Sequence, residues 1–183
     1  MLTSRPAAVD TSSLINVLAS GFAELLLEQL APERWVAENV SRESLFLRSA
    51  LANTPPERID LDPLFRSGHL RLCQAETAEE EELYVQLAAE LDDGEAVSLA
   101  IAVRRGYALV TDDRKAIRLA QEFGVLDIFG TPEVVHACAG IDHRKVLEAI
   151  EVRARFSPAA NHPLRSWWSK SRSSDRPTGV GRN

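Results

Sequence analysis

The stretch Ala7-Ala8-Val9-Asp10-Thr11-Ser12-Ser13-Leu14-Ile15 decides how this chain folds. A short apolar run stops at an aspartate, three hydroxyl residues able to cap a helix follow, and Leu14, Ile15 and Leu18 recur at helical spacing up to Gly21. The unit reads as a buried strand, a carboxylate at its tip, then a helix. Further along, Tyr107-Ala108-Leu109-Val110 ends at Thr111-Asp112-Asp113 and passes into a helix marked by Ile117, Ala120 and Phe123. Strands whose apolar residues run without alternation belong to sheets covered on both faces.

Between and beyond these units, strands and helices alternate. Residues 34–36, 69–73 and 125–129 read as strands. The spacing of Val40, Leu47 and Leu51 predicts a helix over 38–51, bearing Glu43 in its first half. The proline-rich stretch 53–68 reads as a surface connection with a helical turn. Thr77 and Glu80 have capping-box spacing ahead of a helix that runs to Leu91, and the acidic run 79–82 is expected on its solvated start. Helices are also expected from Glu95 to Gly106, from Thr131 and over 143–155. The pattern predicts an α/β fold with three layers, αβα, around a mainly parallel central sheet.

The chain has 183 residues, 45% hydrophobic and 26% charged, which suits a single globular domain. The net charge of −6 argues against coating DNA by charge alone, but a metal nuclease must itself carry carboxylates. Two isolated cysteines, Cys73 and Cys138, give no disulfide framework or zinc cluster. Without a secretory pattern or a membrane-length apolar run, a soluble cytoplasmic protein is expected. Composition divides the chain into a domain over 1–155 and a basic tail over 156–183, with the tail expected to be mobile or partner-docking. The Trp167-Trp168 pair within it is expected to pack on the domain or on a partner.

Ligands of an open parallel sheet gather beyond the carboxyl ends of its strands. Asp10, Asp112 and Asp113 sit there by this reading, Glu95 opens a helix, and Glu43 lies on an earlier one. Each also has a plain structural role open to it, as a cap, a turn or a solvated residue. Together they are ingredients of an oxygen-ligand site for a divalent metal.

The residues 9–15 quoted above resemble the opening of PIN-domain ribonucleases. Residues 36–43, Val-Ala-Glu-Asn-Val-Ser-Arg-Glu, are similar to that family's second acidic motif. Leu91 to Ala96 resembles the Gly-Glu-Ala motif of a bacterial and archaeal subgroup that includes VapC-like toxins. Leu109-Val110-Thr111-Asp112-Asp113-Arg114 resembles its strand-end motif, and Phe129-Gly130-Thr131 also fits.

The resemblance implies a PIN-like fold and a Mg²⁺- or Mn²⁺-dependent endoribonuclease. Asp10, Glu43, Glu95 and Asp113 would be catalytic. Asp10, Glu95 and Asp112 or Asp113 would hold the metal; Thr-any-Asp, the common family form, favours Asp113. Thr11, Ser12 and Thr111 would orient these acids, and Arg114 and Lys115 would position phosphates. RNA is the implied substrate, a small antitoxin protein a candidate partner and a homodimer the expected assembly, with no membrane. The alternative is a catalytically inactive PIN fold that binds RNA or protein. The chain has no Gly-rich phosphate loop, and Asp10-Thr11-Ser12 lacks the second acid of an aspartyl phosphatase.

Overall fold

The computed structural model describes residues 1–38, 45–49 and 54–173. Five strands form the central sheet: β1 (Ala7–Val9), β2 (Arg34–Ala37), β5 (Arg71–Cys73), β6 (Ala108–Val110) and β7 (Ile128–Phe129). Their order is β5-β2-β1-β6-β7 and every pairing is parallel. Ala8 of β1 faces Trp35 on one side and Leu109 on the other.

The two faces of β1 explain its unbroken apolar sequence. Ala7 and Val9, with Ala108 and Val110, pack against Leu14, Leu26, Val135 and Ile150. Those residues come from α1 (Thr11–Ala19), α2 (Ala23–Leu30), α7 (Thr131–Ala137) and α8 (His143–Arg153). Ala8 and Leu109 face the opposite layer, with Leu83, Leu99 and Leu119. That layer is α4 (Ala78–Ala88), α5 (Asp93–Arg105) and α6 (Arg114–Glu122). Side chains that alternate across a strand cover both layers from three consecutive residues. Gly106 stops α5 in the left-handed conformation (φ 66°), which frees the chain to turn into β6.

The chain leaves β1 into α1 on one layer and leaves β6 into α6 on the other. These neighbouring strands therefore open a crevice at their carboxyl ends, the place where such sheets hold ligands.

Several sequence expectations differ from the fold. Phe46–Leu47 is a strand, β3, not part of a helix over 38–51; it pairs antiparallel with β4 (Glu57–Arg58). Residues 39–44, with Glu43, and residues 50–53 lie outside the described residues. The connection over 53–68 contains β4 and a helix, α3 (Asp62–Arg66), and buries Leu61 and Leu64. Strand β7 begins at Ile128 rather than Val125.

Glu80, expected on a solvated helix start, is 3% exposed and makes a two-armed pair with Arg105, Nε–Oε1 at 2.7 Å and Nη2–Oε2 at 2.9 Å. The cysteines are free and buried; Cys73 Sγ donates to the Val36 carbonyl, and burial pushes its thiol up to about 12.

Of the basic segment 156–183, residues 156–173 are described, and they lie against the domain. Residues 165–173 form a helix, α9 (Arg165–Ser173). Trp168 is buried, donates from Nε1 to Glu151 at 2.7 Å and meets Phe156 edge-on. Trp167 packs edge-on with His136 and His143. Among the described residues, no helix is long and apolar enough to cross a membrane.

Candidate active site

Asp10 follows β1 and caps α1. Its backbone N–H donates to Val110 of β6, so the two strand tips are joined. The carboxylate is 2% exposed. Oδ1 accepts the Ser12 N–H at 2.8 Å; Oδ2 accepts the Ser12 hydroxyl at 2.7 Å and the Thr111 hydroxyl at 3.0 Å. Burial pushes its pKa up, against those hydrogen bonds. Ser12 and Thr111 therefore fix the orientation of the Asp10 carboxylate. Thr11, the first residue of α1, makes no such contact among the described residues.

The adjacent aspartates at the tip of β6 differ. Asp112 is tied down by four donors. Its Oδ1 accepts the Thr131 N–H at 2.9 Å; its Oδ2 accepts Asn16 at 3.0 Å, Ser13 at 3.2 Å and the Thr131 hydroxyl. A carboxylate offers about four lone-pair sites, so these four donors, three of them on Oδ2, use most of what Asp112 can accept. It staples α1 to the start of α7, and burial raises its pKa. Gly130 makes room for this: a Cβ there would lie 2.7 Å from Asp112 Oδ1.

Asp113 caps α6 with Oδ1 alone, accepting the N–H groups of Lys115 and Ala116, both at 2.8 Å. Its own N–H donates to the Thr111 hydroxyl at 3.1 Å, and Thr111 in turn donates to Asp10. One threonine thus links the two strand-end acids.

Glu95 lies in the first turn of α5. Burial, then the charge of Asp113, then that of Asp10 lift its carboxyl to about 7. Glu95 therefore feels Asp113 and Asp10 as like charges. Among the described residues, no three His, Cys, Asp or Glu side chains lie close enough to hold a metal directly. Repelling carboxyls with oxygen donors only are nevertheless the chemistry that a hard divalent cation fits.

Of the expected phosphate-binding cations, Arg114 is exposed at the start of α6, whereas Lys115 Nζ donates to the Glu90 carbonyl and lies 3.9 Å from its carboxylate. Sequence reasoning missed Ser13, Asn16 and Thr131, the residues that hold Asp112. Ser13 and Asn16 lie three apart on α1, a spacing that places both on one helical face.

A family model described as DUF3368, a PIN domain, matches residues 6–140. No curated protein and no solved structure matched the chain. PIN domains are typically nucleases and generally use divalent metals. With strand order, strand-end acids and matched span in agreement, the chain belongs to the PIN-domain family.

Proposed function

We propose that the chain is a Mg²⁺- or Mn²⁺-dependent endoribonuclease in which Asp10, Glu95 and Asp113 hold the metal in part through its bound waters, and that it acts as a VapC-like toxin of a toxin–antitoxin pair. The observation that carries this reading is that Asp10 and Asp113 stand at the tips of neighbouring strands, joined through Thr111, with Glu95 near enough for both charges to raise its carboxyl. A cation bound there neutralises the phosphodiester and makes its bound water more acidic. The chain's own residues do the positioning. Ser12 and Thr111 hold the Asp10 carboxylate in one orientation. Asp113 spends one oxygen on the α6 N-terminus and keeps the other for a ligand, whereas Asp112 serves as a staple.

Arg114 receives a substrate phosphate, with Lys115 a secondary contact. Glu43 keeps the role its motif implies, as base or second-ion ligand. The toxin assignment, with a small antitoxin as partner and a homodimer as the assembly, is supported by the Gly94-Glu95-Ala96 and Leu109–Arg114 motifs.

The test is cleavage of a labelled RNA in Mn²⁺ and in EDTA. Asp10→Asn and Asp113→Asn should each lower cleavage on the order of a hundredfold or more, since even the loss of groups that orient metal ligands costs 10–100-fold. RNA binding should fall far less. Equal cleavage by wild type and Asp10→Asn would refute the reading. Wild-type RNA binding with no cleavage of a broad RNA pool would favour the inactive binding module. Growth arrest on expression, relieved by Asp10→Asn and by the product of a small adjacent reading frame, tests the toxin assignment.

A further inference from the structure

A cleft of about 650 Å³ opens beside the strand-end acids. Thr111 and Asp112 form one side, together with Arg114 and Gln121 of α6. The far wall is the segment 156–163, which lies beyond the residues that the family model matches. The cleft is therefore an addition of this chain to the common domain. Its size falls in the range of roughly 300–1,000 Å³ typical of ligand sites.

The wall is built rather than draped. Arg165 Nη1 donates to the Pro158 carbonyl at 2.8 Å, and the His162 N–H donates to the Ala159 carbonyl at 3.0 Å. The buried Trp168 holds Phe156 edge-on, 5.8 Å between ring centres. His162 accepts the Leu164 N–H at Nδ1, which leaves Nε2 to carry its proton toward Glu133, 3.4 Å away. The Glu133 charge in the cleft is met by that imidazole and by the Gly130 N–H at 3.0 Å.

The lining combines aromatic and apolar surface from Phe129, Phe156 and Ile128 with polar groups that have nothing to bind. The side chains of Arg114, Gln121 and Asn161 make no hydrogen bond or ion pair among the described residues. An aromatic wall, amide groups without partners among the described residues and the guanidinium of Arg114, unlike that of Arg118 not spent on Glu90 and Glu122, stand next to candidate phosphodiester chemistry and match one occupant. Single-stranded RNA is read by stacking splayed bases on aromatic rings and bonding their edges, while cations take the phosphates.

We propose that this cleft is a nucleobase subsite for an unpaired nucleotide of the RNA next to the scissile bond, with Phe156 as a stacking wall, Asn161 and Gln121 at the base edge and Arg114 on its phosphate. The inference rests on the ribonuclease reading for its substrate, yet it makes a separate claim about binding.

The experiment reads fluorescence anisotropy of a fluorescein-labelled, mixed-sequence single-stranded RNA decamer in EDTA. Phe156→Leu keeps apolar bulk against Trp168 but removes the π face; Asn161→Ala changes an exposed side chain. Each should raise Kd about fivefold or more with an unchanged melting temperature. The same sequence in a duplex should bind more weakly than the single strand. If Phe156→Leu melts early, Asn161→Ala decides. Unchanged Kd in the natively folded variants overturns the subsite and leaves the nuclease reading intact. Absence of decamer binding by the wild type also overturns it. Cleavage by Asp10→Asn at the wild-type rate sinks the nuclease reading alone, because the subsite is measured without turnover.

Discussion

Helices α4 and α5 each carry a glutamate at their third residue, Glu80 and Glu95, and both are drawn out of solvent. Glu80 meets the guanidinium of Arg105, which holds its carboxyl down at about 2. Glu95 is half-buried near Asp113 and Asp10 and is held up at about 7. The local helix position is the same; the tertiary neighbours reverse the sign. A glutamate matched to a cation is a structural element, and one left among acids marks a place where the fold gives up stability for a ligand.

The largest expected effect tests the matched side. Arg105→Met leaves Glu80 buried without its partner and should cost about 3–5 kcal/mol, read from the urea midpoint. A loss below 1 kcal/mol would show that Glu80 re-solvates freely and would remove the contrast.

Next comes the cation on the mismatched side. An ion that binds only the folded state adds about 2.7 kcal/mol at a hundredfold excess over Kd. Mn²⁺ should raise Tm, and Glu95→Gln or Asp10→Asn should remove most of the rise. An identical melting curve at millimolar Mn²⁺ would count against the metal site.

The pH profile in EDTA separates the two glutamates. The folded pKa of Glu80 lies below its ordinary 4.5, so its stabilisation is full above pH 4.5 and is lost as pH falls through about 2. The folded pKa of Glu95 lies above 4.5, so the folded state binds the extra proton. That stability is full below pH 4.5 and is lost as pH rises through about 7. Asp10 and Asp112, also raised, act in the Glu95 direction. Glu95→Gln should flatten the upper limb and recover about 1–2 kcal/mol at pH 8, less than the full shift because the group is partly solvated. An upper limb of unchanged slope in Glu95→Gln would reassign it to the aspartates.

The smallest effect concerns the caps themselves. The Thr77 hydroxyl accepts the Glu80 N–H at 3.2 Å, whereas the Asp92 side chain makes no cap hydrogen bond on α5. Thr77→Ala should cost about 1 kcal/mol, and Asp92→Ala only a few tenths. Equal losses would show that α5 is capped in solution after all.

The fold was legible where chemistry is local. An apolar triplet ending in an acid announced β1 with Asp10, and the same pattern announced β6 with Asp112 and Asp113, because central parallel strands need apolar residues on both faces. Leu47 was misread because a short apolar spacing fits a helix or a strand equally well, and only the partner at Arg58 and Glu57 settles it. The Glu80–Arg105 pair spans 25 residues, and the Asn16–Asp112 bond spans 96, so no neighbouring residue signals either. The same distance hid the division of labour at the β6 tip. Two adjacent aspartates look alike until the donors on one of them are counted.

The two sealed thiols have a practical corollary. Cys73 and Cys138 are both buried, and burial raises both pKa values, so little thiolate is offered to an alkylating reagent. Cys73 sits on β5, at the margin of the sheet. Its modification rate is therefore a clock for opening of that margin, and Cys138 times release of the turn after α7. A cysteine engineered at an exposed position such as Asn161 takes a dye before either native thiol is reached. The chain thus comes ready for single-site labelling without removal of its own cysteines.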